Sequence, residues 1–141
     1  MNALQLTLVL QLAALSHVGL LTAGACMPKV VGLGRHLADV PPFIRRLFFV
    51  YYGFIGMILM GFGVLTFAFA DAMAAGQPVA RALCVLMALF WSMRLAVGWL
   101  VFDLRPYLTN VFYRLGSAAL NLVFVYLVAA YWFAAWKGGR L

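Results

Sequence analysis

Residues 88–100 read Ala88-Leu89-Phe90-Trp91-Ser92-Met93-Arg94-Leu95-Ala96-Val97-Gly98-Trp99-Leu100. The run is apolar enough to lie in a bilayer, yet an arginine sits in its middle. Either it is not a membrane span, or Arg94 has a partner there.

The rest of the chain decides the first half of that question. Of its 141 residues, 67% are hydrophobic and 9% charged, whereas a soluble domain carries about 25% charged residues. A chain this short leaves too much surface exposed to hide so many apolar side chains from water. Lipid is the solvent that such a composition fits.

Four stretches approach the roughly 20 residues that a helix needs to cross a bilayer: residues 3–25, 47–70, 79–102 and 117–136. No series of alternating segments points to a β-barrel, and lipid offers no partner for open backbone. The expected fold class is all-α integral membrane: a four-transmembrane-helix bundle in a single domain, residues 1–141.

The first span carries Ala23-Gly24-Ala25-Cys26, a stretch with the look of a cleavage site, but Met1–Gln5 lacks the basic residues that open a signal peptide. Retention as a span is expected. Cys26 and Cys84 form no CxxC pair and lie near opposite ends of their spans, so free thiols are expected.

Between the first two spans, PKVVGLGRHLADVPP (28–42) places Val30, Leu33, Leu37 and Val40 near helical spacing. That pattern predicts a short interfacial amphipathic helix after the first span. Its GLG lacks the strand, third glycine and acidic residue of a dinucleotide site. Gly53, Gly56, Gly61 and Gly63 predict close packing of the second span. Tyr131-Trp132-Phe133 and Trp136 read as an anchor at the membrane surface.

The net charge of +7 belongs to span ends rather than to a nucleic-acid interface. Lys29, Arg35, Arg45, Arg46, Arg105 and Arg114 lie on one side, against Arg81, Lys137 and Arg140 on the other. The excess predicts a cytoplasmic-membrane protein with loops one and three in the cytoplasm and both termini outside. Arg45 and Arg46 are interfacial anchors, as are Asp103, Arg105 and Tyr107 in loop three, which doubles as a candidate lid.

Counted from the expected span ends, Arg94 and His17 share one depth, with Tyr51 or Tyr52 and Asn121 in the same half. Each span thus contributes a polar residue to one layer, with Trp91 and Gly98 a turn either side of Arg94. Buried ionisable groups face a bundle interior or a cavity, and no Asp or Glu lies within a span to neutralise Arg94. The candidate ligand-binding set is therefore His17, Tyr51, Tyr52, Trp91, Arg94 and Asn121. A layer that merely holds the helices in register competes with that reading.

The expected function is non-enzymatic: binding an anionic or amphiphilic small molecule or lipid, or serving as accessory subunit of a membrane complex or homo-oligomer. His17 as a haem or quinone ligand is the alternative, and a lipid-modifying enzyme the second. A haem or metal site lacks a second ligand at helical spacing, and no carboxylate pair or Ser–His–Asp spacing points to catalysis.

Overall fold

The computed structural model describes residues 2–101 and 110–138. It contains six helices in these residues: α1 (Ala3–Val30), α2 (Leu33–His36), α3 (Pro42–Ala68), α4 (Ala70–Ala74), α5 (Pro78–Leu100) and α6 (Val111–Lys137). Among the described residues there is no strand. Four of the helices, α1, α3, α5 and α6, are long and apolar enough to cross a membrane.

Local chemistry sets their ends. Asn2 and Gln5 exchange side-chain-to-backbone hydrogen bonds at 3.0 and 2.9 Å, a capping box that satisfies two N-terminal donors of α1. Pro42 and Pro78 occupy the first positions of α3 and α5, where a missing N–H costs nothing. Gly32 stops α1 with a φ of 60°, a left-handed conformation that a side chain would oppose.

The helix after the first span is shorter than the 28–42 pattern implies. Residues 28–30 extend α1 instead, and α2 is a single turn of four residues. The reason lies at Pro28, inside α1. Proline has no N–H for the carbonyl four residues back, which leaves the Gly24 oxygen free. The Tyr52 hydroxyl, from α3, donates to that oxygen. Tyr52→Phe is therefore expected to cost about 1–2 kcal/mol by orphaning this carbonyl. In a Pro28→Ala background, where the backbone bond is restored, the same change should be close to neutral. A double-mutant cycle by denaturant titration checks this.

α3 packs against α1, α5 against α6, and α1 against α6, so α1 is the central strut. α3 approaches α1 closely at Gly63, where an added Cβ would stand 3.0 Å from the His17 Cβ. Of the four glycines noted in this helix, only Gly63 has a neighbour within 4 Å. After Ala68 the chain turns and α4 folds back over the end of the bundle near the termini, burying Ala70, Met73 and Ala74. Thr7 of α1 donates to Asp71 of α4 at 3.0 Å. Arg81 Nε donates at 2.7 Å to the Ala135 carbonyl in the last turn of α6, where free carbonyls favour a cation.

Burial is confined to one half of the bundle. Among the described residues, it extends on α1 from Leu6 to Leu20, on α5 from Ala80 to Trp91 and on α6 from Leu127 to Ala135, while α3 buries only Thr66. The helices continue toward loop one and still touch there, through Tyr52 on Gly24 and Trp99 on Asn121, but among the described residues none beyond these limits is fully buried. His17 and Trp91 stand where the core ends.

Candidate functional site

His17 and Trp91 do meet, with ring centroids 5.4 Å apart in an edge-to-face arrangement, and each is 1% exposed. The other members of the contact layer differ from the expected set. Tyr131 of α6 lies edge-on to His17 at 6.3 Å, and its hydroxyl is 2.7 Å from Thr66 Oγ1 of α3. Thr66 has one proton, and Phe62 O at 2.7 Å takes it, so Tyr131 is the donor to Thr66. Each of the four long helices contributes one residue to a buried cluster: His17, Thr66, Trp91 and Tyr131.

The Tyr131 reading is thereby corrected. It is fully buried rather than a surface anchor, whereas Trp132, Phe133 and Trp136 of the same segment are exposed. Thr66, a polar residue within the apolar run Gly63-Val64-Leu65-Thr66-Phe67, carried a legible signal that depth counting passed over. Tyr131 was hidden among aromatic neighbours.

The tyrosines of α3 lie elsewhere. Tyr51 is 62% exposed, and Tyr52 is level with Gly24 of α1. Gly24 is seven residues beyond His17, roughly 10 Å along the axis. Asn121 is also outside the cluster: it donates to Ser117 O at 3.0 Å and accepts from Trp99 Nε1 at 3.3 Å.

Arg94 is exposed, six residues before the end of α5. Its guanidinium carbon stands 5.0 Å from the centre of the Phe124 ring, a cation–π distance. Phe124 stacks in turn on Trp91, centroids 5.5 Å apart. A Cβ added at Gly98 would come within 3.2 Å of an Arg94 terminal nitrogen, so the side chain extends along α5 toward its C-terminal end. Arg94 is thus connected to His17 through Phe124 and Trp91, but is not in the cluster itself.

Arg45 and Arg46 are exposed at the start of α3. Asp103, Arg105 and Tyr107 lie outside the described residues. Cys26 is exposed and Cys84 buried, and both are free thiols. Among the described residues no group of three or more His, Cys, Asp or Glu is placed to hold a metal ion.

Two apolar clefts border the helices. One, of about 300 Å³, runs between α1 and α3 and includes His17 and Gly63 in its wall. The other, of about 370 Å³, lies between α1 and α6 and is lined by small residues that include Gly19, Ala23, Gly116 and Ala119.

No protein-family model matches the chain, and no curated protein or solved structure matches it. The class that can be stated is a helical chain with four helices capable of spanning a membrane.

Proposed function

We propose that this is a four-span protein of the cytoplasmic membrane that binds an anionic amphiphile without transforming it. The observation that carries the proposal is the mismatch between helix length and packing. Burial ends at Trp91, and Arg94 stands in the half beyond it, a turn away on the same helix. A bare guanidinium below a membrane surface costs several kcal/mol unless an anion or water meets it. An acidic headgroup supplies that anion, and Phe124 holds the guanidinium in place for it. The α1–α6 cleft, in the same half, offers a bed for an alkyl chain.

Loop one, with Arg45 and Arg46, then faces the cytoplasm by charge bias. The broad exposed apolar face of α3 is solvated by lipid, or by a partner where the protein serves in a larger complex.

Native mass spectrometry of gently extracted protein tests this, followed by titration with dodecyl phosphate. Wild type is expected to retain an anionic amphiphile. Arg94→Ala should bind dodecyl phosphate about 10- to 100-fold more weakly, the loss of a charge-assisted hydrogen bond of about 1.5–3 kcal/mol. Because the guanidinium is exposed, folding should be little affected, and Arg94→Lys should recover part of the affinity. Equal binding by wild type and Arg94→Ala would sink the proposal.

A further inference from the structure

A second feature, independent of Arg94, lies deeper in the bundle. His17 Nδ1 is 2.8 Å from the Ala13 carbonyl. A carbonyl only accepts, so Nδ1 carries the proton of the neutral ring. Nε2 is left as a bare lone pair, buried with no partner. The Trp91 Nε1–H is likewise buried with no partner.

These two orphans are complementary. One needs a proton donor and the other an acceptor, and they belong to rings 5.4 Å apart. A hydroxyl group answers both, donating to His17 and accepting from Trp91. An ether or ketone oxygen answers only the indole, and a carboxylate brings no proton for the imidazole. Buried polar groups left unmatched are costly, so the pair is selective for hydroxyl chemistry.

The α1–α3 cleft reaches the same histidine. His17 is the one polar side chain in its lining, among Leu15, Val18, Met60, Val64 and Phe67. Gly63 borders the same cleft, and a Cβ there would stand 3.0 Å from the His17 Cβ and 3.5 Å from its Cγ, so glycine leaves this side of the histidine uncrowded. We infer that His17 and Trp91 bind the hydroxyl head of a membrane-soluble alcohol or phenol whose apolar body lies in the α1–α3 cleft.

Nuclear magnetic resonance of indole-15N-labelled protein in phosphatidylcholine nanodiscs reads this directly, with the Trp91 signal assigned by Trp91→Phe. Dodecan-1-ol is expected to move the Trp91 N–H signal downfield saturably. Dodecyl methyl ether should require at least a tenfold higher concentration, and dodecane should leave the signal in place. His17→Leu should weaken the response to the alcohol at least tenfold. Val64→Trp fills the cleft from its exposed rim and should abolish the response while leaving both orphan groups intact.

A signal that ignores the alcohol and cross-relaxes only with water would assign the pair to a buried water and overturn the inference. Equal responses to alcohol and ether would overturn it too. A Soret band in the purified protein would do the same, because Nε2 would then be an iron ligand. Arg94 touches neither orphan group, so Arg94→Ala should leave the dodecan-1-ol concentration for half response unchanged even if it offsets the free Trp91 signal through Phe124, and failure at one site is read separately from failure at the other.

Discussion

Trp91→Ala is expected to destabilise the protein by about 3–5 kcal/mol, the usual range for removing a large buried aromatic side chain. Trp91 is 1% exposed and is a meeting point of several rings. Phe90 lies edge-on at 5.3 Å, Phe124 is stacked at 5.5 Å, and His17 completes the set from α1. Its removal opens a cavity at the level where the core ends, with little packing beyond it to collapse into the space. Trp91→Phe should cost much less, because it keeps most of the ring contact and deletes an N–H that has no partner. The midpoint and slope of unfolding in a denaturing detergent measure both. An alanine variant within about 1 kcal/mol of wild type would show that the ring cluster is not what joins α1 to the α5–α6 pair.

The second large effect is expected at Thr66, and its sign of asymmetry is the useful part. Thr66→Val leaves the Tyr131 hydroxyl fully buried without an acceptor, at a cost of about 1–3 kcal/mol. Tyr131→Phe leaves Thr66 still bonded to the Phe62 carbonyl, so it should cost less than the valine variant. Removing both groups should recover part of the Thr66→Val loss, since no orphan then remains. A Tyr131→Phe variant more damaging than Thr66→Val would mean that the proton runs the other way, from Thr66 to Tyr131.

Both residues show how the site was partly legible. A depth count along each expected span put His17, Tyr51 or Tyr52, Arg94 and Asn121 in one layer, with Trp91 a turn from Arg94; of these, the structure places His17 beside Trp91. It selected Tyr52 for α3, where the buried partner is Thr66, fourteen residues and roughly 21 Å further on. Part of the error is local: α1 continues to Val30 because the Tyr52 hydroxyl compensates for Pro28. An assumed end at residue 25 therefore misplaced the register of α1 against α3. The Arg94 question has a related answer. Arg94 sits six residues before the end of α5, outside the buried cluster, with its guanidinium beside Gly98 and over Phe124.

What the sequence by itself determined is the set of four long apolar helices. Length and hydropathy act through neighbours along the chain, so they can be read without the fold. Only the tertiary structure decided which face of each helix is buried and at what register the helices meet. In helices apolar on every side, the core face is no more hydrophobic than the outer face, so periodicity carries little orientation. Contacts between distant residues settle it instead: Gly63 under His17, Tyr131 on Thr66, and Tyr52 on the carbonyl that Pro28 leaves free.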